Sequence, residues 1–213
     1  MLFDIGANCG KYTRANIHKY DRIVCVDASE LQCSLLRQNL PADKCVVVHG
    51  LVSNTAGAEF YRCSESGISS ASEEWREGKG RFAPGGPCWS PSIIWTREEC
   101  PVMKLDELIE KYGTPSFIKI DVEGHETEVI KSLSKYSGEL AFEWAEEMKE
   151  ELIVALNYIH EVLGHNEFYI QIEDAYTFEP DPSEYKDFET TLNTICSDWD
   201  ADRKEKWGMI WCR

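Results

Sequence analysis

Leu2-Phe3-Asp4-Ile5 runs directly into Gly6-Ala7-Asn8-Cys9-Gly10, and after a helical stretch to about Lys19 comes Arg22-Ile23-Val24-Cys25-Val26-Asp27. A short apolar run closed by glycines reads as a buried strand followed by a tight turn. The second run reads as a buried strand too, and Ser29 stands where it can cap the helix after it. Pro41 ends that helix, and Cys45-Val46-Val47-Val48-His49 is a third strand. Strands alternating with helices at this spacing make βαβ units and a mostly parallel sheet.

Between 62 and 100 the alternation stops. This stretch is rich in Ser, Gly and Pro and carries Trp75, Trp89 and Trp95. An irregular segment this long is uncommon unless it serves a function, and the expectation is a substrate loop. Its tryptophans have two readings: they stack on sugar faces, or they anchor the loop by burial. The alternation then resumes with a helix at Leu105 to Tyr112, a strand at Phe117 to Asp121 and a helix from 124 to about 136. A strand at Leu140 to Trp144, a helix over 146–163 and strands at Phe168 to Ile172 and Met209 to Cys212 complete the pattern. The stretch from Asp174 to Asp200 is not placed. The expectation is one doubly wound domain over 1–213. Because the first strand begins at Leu2, the chain is expected to be excised from a longer polypeptide.

With 213 residues, 22 Lys+Arg and 38 Asp+Glu, the net charge is −16. That surface repels nucleic acid and anionic membranes, so neither is expected as a partner. No apolar run is long enough to span a bilayer, and the N-terminus lacks the regions of a signal peptide. The nine cysteines include no Cys-x-x-Cys pair, and no Asn-x-Ser/Thr sequon is present. Reduced thiols in a cytoplasmic protein are the expectation, against a disulfide framework or zinc site. His160 and His165 do not make a zinc helix, because residues five apart diverge by about 140° at 3.6 residues per turn. The acids from Glu146 to Glu151 read as a solvated face.

The glycine loop lies between a strand and a helix, where open α/β sheets bind ligands. Asp27 ends the next strand about 20 residues beyond Gly6, the distance at which an acid accepts ribose hydroxyls. A dinucleotide fingerprint has Gly-x-Gly-x-x-Gly. Here the spacing is Gly-x-x-x-Gly, with Asp4 just before it and Asp121 and Glu123 at another strand end. Carboxylates repel a pyrophosphate but suit S-adenosylmethionine, which carries a sulfonium and an ammonium.

Phe3-Asp4-Ile5-Gly6-Ala7-Asn8-Cys9-Gly10, taken with Ile118-Lys119-Ile120-Asp121-Val122-Glu123-Gly124-His125-Glu126, resembles the FkbM family of S-adenosylmethionine-dependent methyltransferases. Val52-Ser53-Asn54-Thr55-Ala56-Gly57, Lys104-Leu105-Asp106-Glu107-Leu108 and the strand ending at Glu143 are also similar to it. The resemblance implies a Rossmann-like class I methyltransferase sheet of seven strands, the last antiparallel, acting on hydroxyl groups of sugars and other natural products. By position it implies that Asp4, Gly6, Ala7, Asn8, Gly10 and Tyr12 shape the methionine end of the cofactor site. Asp27 and Ala28 then hold the ribose, Val52 and Ser53 lie near the adenine, and Asp121 completes the site. The family often has a small residue where His125 stands, so a role for His125 is not inherited.

Transfer to a weakly acidic hydroxyl calls for a general base or a metal. Asp121, Glu123, His125 and Glu143 are the candidate bases, with Asp121 and Glu123 first; His125 can equally be a helix cap or surface residue. Asp121 and Glu143 can instead hold a divalent metal, which would acidify a coordinated hydroxyl. The expected function is O-methylation of a sugar in a glycan or glycoconjugate, fused to or acting with glycosyltransferase domains. The alternatives are a non-sugar natural-product hydroxyl, or a non-catalytic nucleotide-binding module.

Overall fold

A computed structural model describes residues 1–65, 67–173, 175–197 and 207–213. β1 (Leu2–Ile5), α1 (Lys11–Asn16), β2 (Ile23–Asp27), α2 (Glu30–Asn39) and β3 (Cys45–His49) form the first half of the sheet. β4 (Leu51–Val52), β5 (Phe60–Cys63), α3 (Glu73–Glu77), β6 (Trp95–Glu98) and β7 (Val102–Met103) carry the chain through the insertion. α4 (Leu105–Tyr112), β8 (Phe117–Ile120), α5 (Glu126–Lys131), β9 (Glu139–Ala145) and α6 (Lys149–Tyr158) follow. β10 (Glu167–Ile172), β11 (Lys186–Asp187), α7 (Phe188–Cys196) and β12 (Trp207–Cys212) finish the chain.

The sheet runs β11-β10-β12-β9-β8-β1-β2-β3. β1, β2, β3, β8 and β9 are parallel, and β12 lies antiparallel between β9 and β10. The class I methyltransferase architecture is therefore present, but with eight strands rather than seven. The extra strand, β11, pairs through two residues, Glu167 with Asp187 and Phe168 with Lys186. It comes from the unplaced stretch 174–200, of which Asp174 and 198–200 lie outside the described residues.

Alternation along each strand sends neighbouring side chains to opposite faces. Phe3, Ile5, Val24, Ile118, Ile120 and Phe142 pack against the face covered by α4, α5 and α6. Leu2, Ile23, Cys25, Phe117 and Trp211 occupy the other face, with Leu36 of α2. Cys25, Cys33, Cys45, Cys63 and Cys212 are buried thiols. Among the described residues, no helix is long and apolar enough to cross a membrane.

Several elements depart from the expected spans. The helix expected over 124–136 is only Glu126–Lys131, because Ser132 turns its hydroxyl back to the Val129 carbonyl (2.6 Å) and accepts the Leu105 N–H (3.0 Å). The helix expected over 146–163 divides into a 3-10 turn, α6 and a π turn at Ile159–Leu163, closed by left-handed Gly164. His165 lies beyond it, with Nε2 2.7 Å from the Gly138 carbonyl oxygen. The insertion is not structureless: β5 and β6 pair as an antiparallel ribbon, and the Ser72 hydroxyl caps α3 by accepting the Trp75 N–H. Trp75 is buried and Trp89 is exposed, so the anchoring reading fits Trp75.

Candidate functional site

The parallel strands β1, β2, β8 and β9 end along one edge of the sheet, and the site is built there. Gly6 has φ +74, and a Cβ on it would lie 1.8 Å from the Asp121 carbonyl oxygen. Only glycine lets the two strand-end loops touch at this point. Gly6 and Ala7 donate to the Val26 carbonyl (2.9 and 3.1 Å), which ties the glycine loop to the end of β2. The Asp27 carboxylate completes the tie, accepting the N–H of Asn8 at Oδ2 (2.8 Å) and of Ser29 at Oδ1 (2.9 Å). Burial, only partly offset by those bonds, pushes its pKa up to about 6.

A cavity opens over these loops. Of the residues expected to hold the cofactor, Gly6, Asn8, Asp27, Ala28, Val52 and Asp121 line it. Asp4, Ala7, Gly10, Tyr12 and Ser53 are not in its wall. Asp4 is wholly buried beneath the loop, where Oδ2 accepts the Thr13 hydroxyl (2.5 Å) and Oδ1 faces the Lys119 ammonium at 3.5 Å. Strand register explains this, because Asp4 is paired with Lys119 across β1 and β8. Gly10 is left-handed at the start of α1 and packs on Leu36. Tyr12 lies beneath Lys119, whose ammonium is 5.8 Å from the ring centre. Ser53 turns away to His125, Oγ 3.1 Å from Nε2.

Two polar atoms in the cavity wall were not anticipated. Ser29 stands at the N-cap of α2, yet its hydroxyl makes no capping bond. Its Oγ and the Oε1 of Gln32 are buried without a hydrogen-bond partner. Unsatisfied buried polar atoms are costly and rare, and these two lie beside Asp27, where a ribose and base would meet them. The donor set therefore fits an adenosyl group. The i, i+3 spacing of Ser29 and Gln32 on one helix face was the available signal.

Carboxylates gather at the other end of the cavity. Oxygens of Asp121, Glu123 and Glu143 all lie within 4.8 Å of one another. Register brings them together: Ile120 pairs with Phe142, so the next residues, Asp121 and Glu143, meet at adjacent strand ends. Glu123 joins them because its backbone is left-handed, with φ 57. Lys119, two residues before Asp121 and on the same face of β8, reaches Asp121 Oδ2 at 3.0 Å. Burial, then repulsion from neighbouring carboxylates, holds Glu123 and Glu143 well above the usual carboxylate range. Glu126, which accepts the Val122 N–H at 2.9 Å, is raised to about 7, mainly by burial. His125 is not in this cluster. It is buried against Ser53, and burial lowers its pKa.

The insertion closes over the cluster. The Ser70 hydroxyl donates to the Glu123 carbonyl at 2.6 Å. Arg81 grips Glu147 through two bonds of 2.5 and 3.1 Å. Trp75 packs on the Gly124 backbone, so closely that a Cβ on Gly124 would lie 2.8 Å from the Trp75 Cβ.

No protein of curated function matches the sequence. Among solved structures, the methyltransferase domain of a bacterial Hen1 aligns over 99% of this chain and 88% of its own, with 10% identity and a TM-score of 0.43. An S-adenosylmethionine-dependent methyltransferase from Clostridium acetobutylicum aligns over 100% and 82%, with 14% identity and a TM-score of 0.39. A plantazolicin methyltransferase in complex with SAH aligns over 99% and 75%, with 10% identity and a TM-score of 0.42. The profile of the methyltransferase FkbM domain matches residues 4–143, which run from the glycine loop to the last carboxylate of the cluster. The chain belongs to the FkbM family of S-adenosylmethionine-dependent methyltransferases.

Proposed function

We propose that this chain is an O-methyltransferase that methylates a hydroxyl group of a sugar in a glycan or glycoconjugate. The observation that carries the reading is the triad of Asp121, Glu123 and Glu143 where the cofactor cavity meets the insertion. When bound, S-adenosylmethionine supplies an electrophilic methyl carbon on a sulfonium. The chain's own residues do the rest. Each Asp27 oxygen keeps a lone pair beyond its backbone donor with which to accept a ribose hydroxyl. Lys119 fixes the orientation of Asp121 through their ion pair.

A sugar hydroxyl is a weak acid and must lose its proton as its oxygen bonds to carbon. A carboxylate whose pKa is raised by burial and mutual repulsion is a stronger base once it is ionised, and a placed base contributes about 10²–10⁴-fold. Glu143, with Glu123 beside it, takes that proton as the carbon–oxygen bond forms and the carbon–sulfur bond breaks. The three carboxylates are also hard oxygen donors of the type that holds Mg²⁺, Mn²⁺ or Ca²⁺. A cation there would acidify a coordinated hydroxyl.

The test is transfer of label from methyl-labelled S-adenosylmethionine to a panel of glycosides. Glu143→Gln should lower transfer by about 10²-fold or more while calorimetry shows SAH binding retained. Label that moves only to non-sugar acceptors rejects the sugar. Activity should fall in EDTA and return with Mg²⁺, and activity indifferent to EDTA removes the cation from the reading.

A further inference from the structure

A second depression shares no lining residue with the cofactor cavity. It is an open groove of about 340 Å³ between the insertion, α5 and α6, walled in part by Ser72, His125, Lys131 and Val154. That volume is within the range of small-molecule sites. Gly124, Thr127, Met148 and Glu151 line both the groove and an inner cavity of about 20 Å³. The inner cavity ends on Trp75, Glu126 and Glu143. Glu143 thus faces the inner cavity while its carboxylate stands within 4.8 Å of Asp121 and Glu123, which line the cofactor cavity. The groove thus shares a wall with the cavity that Glu143 lines.

Two polar atoms of residues that line the inner cavity have no hydrogen-bond partner among the described residues. One is the indole Nε1 of Trp75, a residue 2% exposed; the other is Oε2 of Glu151. A buried N–H donor and a buried carboxylate oxygen left unused together suit a group that both accepts and donates, and a hydroxyl does both. Room for about one water-sized group matches a single hydroxyl. The groove walls add charge selection. Glu74, Glu128, Glu150 and Glu151 face it against Lys131, with Lys79 pairing with Glu150 from outside at 2.7 Å. Anionic ligands would be repelled.

We propose that this groove is the acceptor site, and that Trp75 and Glu151 at its inner end hold one hydroxyl of an acceptor that is uncharged or carries an amine. The assignment rests on the methyl-transfer reading above. It makes Trp75 and Glu151 specificity residues and gives the insertion its role, since α3 supplies Trp75 and the rim.

The test uses the full chain loaded with SAH and three probes: methyl glucoside, its 2-amino analogue and glucose 6-phosphate. The Trp75 indole N–H resonance, identified by its loss in Trp75→Phe, should shift with the first two probes. Glucose 6-phosphate should bind at least about tenfold more weakly, and Glu151→Gln should weaken methyl glucoside about tenfold, the worth of one hydrogen bond. SAH affinity should be unchanged in Glu151→Gln. An indole resonance unmoved by every probe at tens of millimolar, equal binding of the phosphate, or glycoside binding indifferent to Glu151→Gln each overturns the assignment. SAH binding is scored separately: its absence rejects the methyl-transfer reading, whatever the indole resonance does.

Discussion

Under the proposed function, Asp27 links the sheet to the cofactor through one titratable group. Its carboxylate already holds the Asn8 and Ser29 amides, and ribose hydroxyls would donate to the same oxygens. Binding therefore favours the ionised form. Burial raises the pKa to about 6, so below that value the proton must be lost before the cofactor binds. SAH affinity should fall by up to about tenfold for each pH unit below 6, and Asp27→Asn should bind weakly with a flat profile. Calorimetry across this range checks it, and a wild-type profile flat through pH 6 would refute the role. Lys119 is the second residue of consequence. It is buried, with Asp121 at 3.0 Å and Asp4 at 3.5 Å. Lys119→Met keeps the bulk but leaves buried Asp4 without its cation, and removal of one partner from a buried pair costs about 3–5 kcal/mol. Urea unfolding should show a loss of that size, and a loss below about 1 kcal/mol would mean that solvent already screens the pair.

At the scale of elements, the insertion is coupled to the catalytic edge through α3 and Gly124. Gly124 has φ +87 and Trp75 directly against it. Gly124→Ala adds a left-handed penalty of about 1–2 kcal/mol and a Cβ into the indole, so the insertion should lift. Trp75 emission should shift to the red and proteolysis should begin within 64–100; unchanged emission and resistance would mean that the Ser70–Glu123 and Arg81–Glu147 bonds hold it without Trp75. Ile23–Asp27 was legible because it is buried along its whole length and reads as a continuous apolar run; Cys45–His49, partly buried beyond Cys45, was legible from its run of β-branched residues. The β5–β6 ribbon was not, because it is only partly buried and alternates weakly. β11 spans two exposed residues that pair with β10. In the site, Asp27 and Asp121 could be read from strand ends. Lys119 gives no such local signal, since its partner Asp4 is set by cross-strand register. Ser29 was read as a cap because the capping preference is local, whereas its unused hydroxyl is a matter of the cavity it faces.

For the whole molecule, the charge of −16 has a consequence beyond repelling polyanions, because part of it is buried. Asp27 and Glu126 are raised to about 6 and about 7, and Glu123 and Glu143 are raised well above the ordinary value, all chiefly by burial. In the unfolded chain these groups titrate near pH 4. Between about pH 4 and 7 the native state therefore holds protons that the unfolded state has released. The unfolding free energy then falls as pH rises, by at most about 1.4 kcal/mol per unit for each such group. Repulsion among the surface carboxylates acts in the same direction. His125, lowered by burial, works the other way, since below about pH 6.5 the unfolded state gains its proton first. Glu30, Glu150, Asp181 and Asp187, lowered in the native state, act with His125 but only below about pH 5, so above that His125 stands alone against the four raised carboxylates. In EDTA and without cofactor, the urea midpoint should be higher at about pH 5.5 than at about pH 7.5. Mn²⁺ should narrow that gap, because a cation on Asp121, Glu123 and Glu143 replaces the protons that stabilise the cluster at the lower pH. A midpoint that instead rises toward pH 7.5 in EDTA would mean that these carboxylates are hydrated and ordinary, and the argument for Glu143 as the proton acceptor would fall with it.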